Sequence, residues 1–349
     1  MPIYHFHSAD YEQKTGGWIY NRHLVRWLAE NAGGVSELSV PACFPAPDAA
    51  TLTRIDTLFE RIEPGALLVM DHIYGCMLLP ILRDRPFRLV SIYHHSLTEE
   101  RAGEGGDTAG LAPVEAAVLQ LSHAVIVTST ESRDYLRSHY AIAEEKIITA
   151  PPGNAPARQS LPHQTGDWHF LSVGAVIPRK HHEFMIDALA GLQAKSWSLT
   201  IVGNTHRYPD HVAALARRIA GAGLSDRIAF TGELTAGALD KLWCGTHLYL
   251  ASSLYEGYGM AISEALCRGI PVISTPSGAV ASWAGPAALL VFSNDPAEMA
   301  ASIETLVTDP AAYAMARHNA AAFGREMQTW DEAMARAGQG LARIVLGTA

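Results

Sequence analysis

The sequence predicts an α/β protein that folds into two parallel-sheet domains. With 349 residues the chain is long for one ordinary domain and comfortable for two. Short apolar runs alternate with longer amphipathic stretches, which is the pattern of parallel strands joined by helices. The alternation stops in the segment 151–166, which is rich in proline, glycine and polar residues, and then starts again. We therefore expect a linker there, between two domains of similar size.

The first half of the chain predicts five strands. Their apolar runs lie at 3–7, 67–71, 89–93, 124–128 and 146–150. Helical spacing of apolar residues predicts three helices between them, at 20–31, 49–62 and 114–121. The glycine-rich, acidic segment 98–113 predicts a loop, and loops on a rigid scaffold often carry binding specificity.

The second half repeats the alternation. Strands are predicted at 169–173, 198–202, 228–231, 248–251 and 271–275. Helices are predicted at 183–192, 211–222 and 236–243, and again from 296 to the end. The regular alternation predicts that both sheets are parallel.

The segment 252–276 places two carboxylates beside the start of a helix. A loop contains Glu256, and a helix that opens at Gly257–Gly259 carries Glu264 in its second turn. Because Glu256 precedes the helix, both carboxylates can face one site at its N-terminal end. The backbone N–H groups and the positive dipole end of a helix start favour a phosphate. Carboxylates bind hydroxyl groups, so the pattern predicts a nucleotide-sugar site.

Two adjacent cations follow the first strand of the second half. Arg179 and Lys180 come shortly after Gly174, where the strand ends. The carboxyl ends of parallel strands meet at one edge of a sheet, so we expect both cations opposite the helix start. There they would neutralise a diphosphate leaving group. A solvated basic turn is the alternative.

The first half offers two further candidates at strand ends. Gly16 and Gly17 lie between a strand and a helix, where glycine lets the backbone approach a ligand. A tight turn with a purely structural role is the alternative. His94 and His95 follow the strand 89–93, and an ordinary core or surface histidine is the alternative for each.

We expect no metal site and no separate cofactor. The neighbours His181, His182 and Glu183 lack the spacing that places two histidines on one helical face.

Composition limits the partners and the location. The net charge of −9 is spread over both halves, which argues against a nucleic-acid partner. The first residues lack the basic and apolar regions of a secretory signal, and the apolar runs are too short to span a membrane. Four cysteines without a C-x-x-C pair predict reduced thiols: Cys43, Cys76, Cys244 and Cys267. We therefore expect a cytoplasmic protein.

Three of these segments together resemble a known enzyme family. SSLYEGYGMAISEALCRGIPVISTP (252–276) resembles the E-x7-E signature of retaining glycosyltransferases of family four, which have the GT-B fold. VGAVIPRKHHEFMIDAL (173–189) resembles the strand, basic pair and helix that open the donor domain of that family. TGGWIYNRHLVRWLAE (15–30) resembles its first glycine loop and helix. The resemblance covers nearly the whole chain.

The resemblance implies two Rossmann-like parallel-sheet domains that face a central cleft. Residues 1–155 would form the acceptor-side domain and residues 156–329 the nucleotide-sugar donor domain. We expect the loop predicted at 98–113 to contribute to acceptor recognition. The C-terminal helix, at about 330–349, would pack back on the first domain. Some relatives touch membranes through a basic amphipathic helix, but the helix at 20–31 has few cations, so peripheral membrane contact is not favoured.

The resemblance also implies a role for each candidate residue. The catalytic residues would be His94, Arg179, Lys180 and Glu256. The donor-binding residues would be Gly16, Gly17, Gly174, Gly257, Tyr258, Gly259, Met260 and Glu264. Glu264 would hold the ribose, Glu256 and His94 the transferred sugar, and the two cations the leaving diphosphate.

The implied reaction is metal-independent glycosyl transfer with retention. The donor would be a nucleotide-diphosphate sugar, UDP- or GDP-linked, and the acceptor a hydroxyl of a glycan, a glycolipid or a small molecule, as in polysaccharide biosynthesis. The family often has an arginine directly after the strand glycine, where this chain has Ala175. Two alternatives stay open: a GT-B sugar-nucleotide 2-epimerase, which is another reaction class of the same fold, and, because of Ala175, a catalytically silent nucleotide-sugar binding protein.

Overall fold

The computed structural model contains two six-stranded sheets whose neighbouring strands are parallel. It describes residues 1–8, 15–41, 47–103, 106–161, 166–193, 196–292 and 294–346. The chain divides into two compact units. The first comprises Met1–Gly153 with Trp330–Ala349, and the second comprises Asn154–Thr329. The α/β prediction is confirmed.

The first unit is built on the N-terminal sheet. Its strands are β1 (Ile3–Ser8), β2 (Ser36–Val40), β3 (Leu67–Asp71), β4 (Arg88–Tyr93), β5 (Ala124–Val127) and β6 (Ile147–Thr149). They lie in the order β2-β1-β3-β4-β5-β6. The helices that join them are α1 (Gly16–Asn31), α2 (Ala49–Phe59), α3 (His72–Leu82), α4 (Leu97–Gly103), α5 (Leu111–Leu121) and α6 (Thr130–Tyr140).

Several elements of the first unit differ from the sequence prediction. Strand β2 was not predicted because its sequence SELSV has one buried position, Val40, and so shows no apolar run. Helix α3 was not predicted from the sequence because it is apolar on most sides and contains Pro80. The predicted loop at 98–113 is wrong in its first part, where α4 forms; Glu104 and Gly105 lie outside the described residues.

The second unit is built on the other sheet. Its strands are β7 (Trp168–Val173), β8 (Trp197–Val202), β9 (Ile228–Gly232), β10 (Leu248–Ala251), β11 (Val272–Ser274) and β12 (Ala288–Leu290), in the order β12-β11-β10-β7-β8-β9. Its helices are α7 (His182–Ala190), α8 (Pro209–Gly221), α9 (Ala236–Gly245), α10 (Met260–Cys267), α11 (Val280–Trp283), α12 (Pro296–Thr308) and α13 (Pro310–Glu326). The short edge strand β12 and the single-turn helix α11 were not predicted.

The last helix of the described chain returns to the first unit. Helix α14 (Trp330–Leu346) packs on α1, and the ring of Trp330 stacks on His23 with the ring centroids 3.9 Å apart. The two helices approach closely because α14 has glycine at 338, where a Cβ atom would lie 1.9 Å from the ring of Trp27.

The predicted linker does not behave as a free spacer where the structure describes it. Asn154 donates its backbone N–H to the carbonyl of Gln328 at 2.9 Å, and Ser160 donates its hydroxyl to the carbonyl of Thr246 at 2.7 Å. Residues 154–161 are therefore fixed to the second unit. Residues 162–165 of the predicted linker, and Cys43, lie outside the described residues.

Two composition-based expectations can be compared with the structure. Cys76, Cys244 and Cys267 are free thiols. Within the described parts of the chain, every helix is too short or too polar to cross a membrane.

Candidate active site

Two loops meet at the carboxyl ends of the paired strands β7 and β10 in the second unit. The first follows Gly174 and contains a 3-10 turn over Pro178–Lys180, and the second is the 252–259 loop that leads into α10. Leu254 donates its backbone N–H to the carbonyl of Arg179 at 2.9 Å, and the Ser252 hydroxyl donates to the carbonyl of His181 at 2.8 Å. These bonds fix one loop against the other.

The centre of this arrangement is the Glu256 carboxylate. The Lys180 ammonium donates to Oε1 at 2.5 Å, the Ser253 hydroxyl donates to the same oxygen at 2.6 Å, and an Arg179 guanidinium nitrogen lies 3.6 Å from Oε2. Burial alone would raise the pKa of Glu256, but the charges of Lys180 and Arg179 outweigh it and lower the pKa to about 2. The carboxylate is therefore ionised at neutral pH, and it retains 13% exposure.

The approach of Lys180 depends on a glycine at the strand end. A Cβ atom on Gly174 would lie 2.9 Å from Cε of Lys180, so the absence of a side chain there leaves room for the lysine over the end of β7. Arg179 is held differently, because it donates to the carbonyl oxygen of Tyr255 at 2.5 Å. Each cation is thus anchored to the 252–259 loop.

Helix α10 presents an open N-terminus beside this cluster. Gly259 precedes the helix in the left-handed conformation, with φ at 91°, and no described side chain caps the helix start. The first N–H groups of a helix have no partner within the helix, so they can bind an anion. Sequence analysis placed the helix start at Gly257–Gly259; the helix begins one residue later, at Met260.

Aromatic stacking holds the end of the 252–259 loop. The ring of Tyr258 stacks on Trp283 at 4.7 Å, and the Trp283 indole donates to the carbonyl of Tyr258 at 2.7 Å. Gly278 packs against the backbone of Glu256, where a Cβ atom would lie 2.1 Å from the Glu256 carbonyl oxygen. These contacts fix the backbone that carries the carboxylate.

The second carboxylate, Glu264, lies on α10 and differs from Glu256 in its surroundings. Burial raises the pKa of Glu264, and Arg268 only partly opposes this. Among the described residues we find no hydrogen bond or ion pair to its carboxylate. Tyr249, in β10, is close enough to both carboxylates for each to raise its pKa, after the larger effect of its burial. Glu256 and Glu264 therefore both lie near Tyr249.

A pocket opens where these groups converge. Its polar lining includes Ser172, Lys180, His182, Ser253 and Glu256, and the start of α10 contributes its backbone. Burial lowers the pKa of His182 to about 3, so this imidazole is neutral at physiological pH. The pocket thus combines an ammonium, a carboxylate, hydroxyls and a helix start.

The first unit holds a second cluster, around His94 at the end of β4. The Nε2 atom of His94 lies 2.9 Å from the amide oxygen of Asn21 and 3.5 Å from the carboxylate of Asp71. The Asn21 amide donates to Asp71 at 3.4 Å, which assigns its oxygen to His94. Because both neighbours accept, Nε2 carries the proton and Nδ1 is the acceptor. Burial lowers the pKa of His94 to about 4, against the attraction of Asp71.

Behind His94 lies a buried charged triad. His72 lies between Asp71 and Glu115, at 3.4 and 3.3 Å. Burial opposes its charged form, but the contacts with the two carboxylates, an ion pair with Asp71 and a hydrogen bond with Glu115, raise the pKa of His72 to about 9. Burial would raise the pKa of each carboxyl, yet His72 and other donors lower both to about 2. The triad carries one positive and two negative charges at neutral pH.

Glu115 also fixes the segment after His94. It accepts the backbone N–H groups of Leu97 and Thr98 at 2.8 and 2.9 Å, where α4 begins, and the hydroxyls of Ser96 and Tyr140 at 3.1 and 2.9 Å. A wholly buried carboxylate with this many donors has a structural role that its helical sequence did not reveal.

The two glycines of the first unit lie inside α1 and not in a loop. Helix α1 begins at Gly16, four residues before the predicted start, and Thr15 caps it by accepting from the Trp18 N–H at 3.2 Å. A Cβ atom on Gly17 would lie 3.0 Å from the His94 ring, so the glycine makes room for that side chain. Gly16 is exposed.

The structure thus brings the predicted residues together in two groups. In the second unit it joins Gly174, Arg179, Lys180 and Glu256 with the loop from Gly257 to Met260. In the first unit it joins Gly17 with His94. Sequence analysis missed Ser253 and Asn21, because a serine in a loop and an asparagine on a helix carry no recognisable spacing. His95 lies beside Glu100, at 3.0 Å.

Sequence comparison shows that the chain is similar to known glycosyltransferases. The model of the family described as glycosyl transferases group 1 matches residues 154–323, nearly the whole second unit. D-inositol 3-phosphate glycosyltransferase 1 of Catenulispora acidiphila is 26% identical over 73% of this chain and 66% of its own length. The MMP alpha-(1->4)-mannosyltransferase of Mycolicibacterium hassiacum is 24% identical over 77% of this chain and 68% of its own. The chain thus spans about two thirds of the length of these relatives.

Two solved structures share the fold of the chain. Sucrose-phosphate synthase from Thermosynechococcus elongatus superposes with a TM-score of 0.83 at 20% identity and covers 100% of both chains. The Anabaena protein Alr3699/HepE, solved in complex with UDP and glucose, has a TM-score of 0.77 at 16% identity and covers 98% of this chain and 99% of its own.

Proposed function

Given that residues 154–323 form a glycosyl transferases group 1 domain within a GT-B fold, we propose that the chain transfers a sugar from a nucleotide-diphosphate sugar to a hydroxyl acceptor, with retention at the anomeric carbon. The observation that carries the proposal is the Lys180–Glu256 pair beside the uncapped start of α10. A cation, an acceptor of hydroxyl protons and free N–H groups in one pocket match the parts of such a donor.

The diphosphate is assigned to Lys180, Arg179 and the start of α10. The negative charge of the leaving group increases as its bond to the sugar breaks, so preorganised donors stabilise the transition state more than the ground state. The two protein cations would supply positive charge beside the leaving diphosphate, and we therefore keep the proposal of a metal-independent reaction.

The sugar and the ribose are assigned to the two carboxylates. Glu256 is ionised and lies beside the cations, so it can accept hydrogen bonds from sugar hydroxyls near the diphosphate. Among the described residues the carboxyl group of Glu264 makes no hydrogen bond or ion pair, so it can accept from the ribose. Neither role requires a covalent bond to the enzyme.

The proposed reaction needs no enzymic nucleophile. The bond between the anomeric carbon and the phosphate oxygen breaks, and the acceptor oxygen bonds to the same face of that carbon. The acceptor proton passes to the departing phosphate. We extend the proposal to His94, whose neutral imidazole would accept from a hydroxyl of the transferred sugar through Nδ1.

A thermal-shift screen of UDP, GDP, ADP and their sugars tests the donor assignment. Saturating the preferred donor at a hundred times its Kd should stabilise the protein by about 2.7 kcal/mol. UDP and UDP-glucose are the first candidates, because HepE has been solved with both. Lys180→Ala should lose most of the shift, whereas Lys241→Ala, an exposed lysine on α9, should keep it. Equal shifts in both variants would contradict the donor site.

Activity assays with the preferred donor then separate transfer from the alternatives. Release of the nucleotide only when an acceptor is added supports transfer. Consumption of the donor without acceptor would favour the 2-epimerase, and binding without turnover on a broad acceptor panel would favour a silent binding protein. Product NMR should give the donor's anomeric configuration, and EDTA should leave the rate unchanged; inversion or loss of activity would refute retention or metal independence.

A further inference from the structure

A cluster of metal-ligating side chains lies on the N-terminal sheet, apart from the groups assigned above. His5 and His7 alternate along β1 and therefore project from the same face of the sheet. Glu37 lies on the neighbouring edge strand β2, where the register pairs it with His5. Three potential ligands from two adjacent strands thus share one face.

The ligand atoms of this cluster converge. Nδ1 of His5 lies 2.9 Å, and Nε2 of His7 lies 3.2 Å, from the same oxygen of Glu37, and all three ligand atoms fall within 4.8 Å of one another. Around a tetrahedral Zn²⁺ with bonds of about 2.0–2.1 Å, neighbouring ligand atoms are about 3.3 Å apart. The observed separations therefore need only small side-chain movements to accommodate the ion.

From this geometry we propose that His5, His7 and Glu37 bind a divalent transition-metal ion, with Zn²⁺ as the preferred class. Two imidazoles and one carboxylate form a donor set that suits zinc and disfavours the hard ions Mg²⁺ and Ca²⁺. The site resembles an open three-ligand centre, in which water completes the coordination.

The burial of the three side chains suits such a centre. His5 is 4% exposed and held in place, its ring stacks on that of His7 with centroids 5.4 Å apart, and His7 is 24% exposed. Glu37 is 50% exposed and leaves the ion an entry path. The hydrogen bond from His5 is the main cause that lowers the pKa of Glu37, so its carboxylate is ionised.

One neighbouring group opposes cation binding. Arg22 is close enough to Glu37 to contribute to its lowered pKa. The guanidinium lies over the ring of Trp18, 4.7 Å from its centroid, which holds it by a cation–π contact. We therefore expect Arg22→Ala to tighten metal binding.

The ion would act on the sheet edge and not on the reaction. Strand β2 is the edge of its sheet and mostly exposed, and a metal bridging β1 and β2 would clamp it. Binding is therefore expected to raise the melting temperature of the protein. The proposal does not rest on glycosyl transfer, because none of its ligands is assigned to the donor.

Zinc titration of the EDTA-treated full chain tests the site. Isothermal titration calorimetry should give one Zn²⁺ per chain, and Co²⁺ should give the visible absorption of a four-coordinate N/O site. His7→Ala should abolish this binding, and Glu37→Gln should weaken it by about tenfold or more. The chain contains 16 histidines, so His139→Ala, which removes an exposed histidine on α6, is the matched control.

The outcomes distinguish a specific metal site from nonspecific metal binding. Absence of stoichiometric binding by the wild-type chain would overturn the proposal. Wild-type affinity in both His7→Ala and Glu37→Gln would do the same. Circular dichroism of both variants establishes that they are folded, and Glu37→Gln, at a half-exposed position, keeps the test decisive should His7→Ala lose its structure.

Discussion

The two clusters at strand ends use similar charged residues in opposite ways. In the second unit, Glu256 meets two cations in an open pocket and keeps 13% exposure. In the first unit, Asp71, His72 and Glu115 are buried, and Glu115 is fully occupied by backbone and side-chain donors. In the first arrangement the charged groups can still interact with a ligand. In the second, the charged groups are occupied by contacts that fix His94 and the start of α4. A strand-end carboxylate therefore indicates a ligand site only when its partners remain open.

The largest expected effect tests the structural role of the buried cluster. Glu115→Ala would leave His72 without one partner and several buried donors unsatisfied, which should lower the free energy of unfolding by about 3–5 kcal/mol. Calorimetric unfolding of the full chain measures this. Glu145→Ala, an exposed control, should change stability by less than about 0.5 kcal/mol. A similar small change in Glu115→Ala would show that the buried network is dispensable.

The next effect concerns the cluster of Lys180, Arg179 and Glu256 in the second unit. Lys180→Ala should reduce kcat by about 10²–10³-fold, as expected for loss of a donor that stabilises developing charge. The melting temperature should also fall, because Glu256 loses the charge that most lowers its pKa, although Ser253 and Arg179 still contact it. Steady-state nucleotide release with the preferred donor measures kcat, with Lys241→Ala as control. An unchanged kcat would remove Lys180 from the proposed mechanism.

A smaller effect concerns the pH dependence of stability, which should depend on His72 in the first unit. The folded-state pKa of His72, about 9, lies above its unfolded value of about 6.5. Its contribution to stability is therefore complete below pH 6.5 and is lost as the pH rises through 9; the part lost between pH 7 and 9.5 is on the order of 2 kcal/mol. The decrease in melting temperature between pH 7 and pH 9.5 should be smaller in His72→Gln than in the wild type. Equal falls would mean that His72 is not charged in the folded protein.

The smallest effect concerns backbone conformation in the second unit. His181 connects the 3-10 turn to α7 with φ at 50°, in the left-handed region. His181→Gly should change stability by less than about 1 kcal/mol, since glycine relieves strain but adds freedom to the unfolded chain. His181→Val should lower stability by about 1–3 kcal/mol, because a β-branched residue is disfavoured there. Equal melting temperatures for the two variants would contradict this.

Much of the fold was predictable from sequence. The predicted α/β class with a GT-B fold is confirmed, and so is the resemblance to group 1 glycosyltransferases. The fold class was predictable because buried parallel strands appear in a single sequence as short apolar runs. The elements that were not predicted include the edge strands β2 and β12, the short helices α4 and α11, the apolar helix α3 and helix α6. Edge strands bury few residues, and a helix that is apolar on most sides has no helical periodicity.

The candidate site was predictable where its residues lie close in sequence. Glu256 and the 252–259 loop form one continuous motif, and the cations follow a strand end. The contact of Asn21 with His94 spans 73 residues, and that of Glu115 with His72 spans 43. Such pairings depend on how helices pack, so no local pattern indicates them.

The return of α14 to the first unit has a consequence for synthesis on the ribosome. Residues 154–329 form the second unit from one continuous stretch, so this unit can fold as soon as that stretch has emerged. The first unit, although translated earlier, lacks the helix that covers Trp27 until residues 330–346 have followed. We therefore expect nascent chains to complete their later half first and to expose the α1 face as a binding surface for chaperones in the meantime.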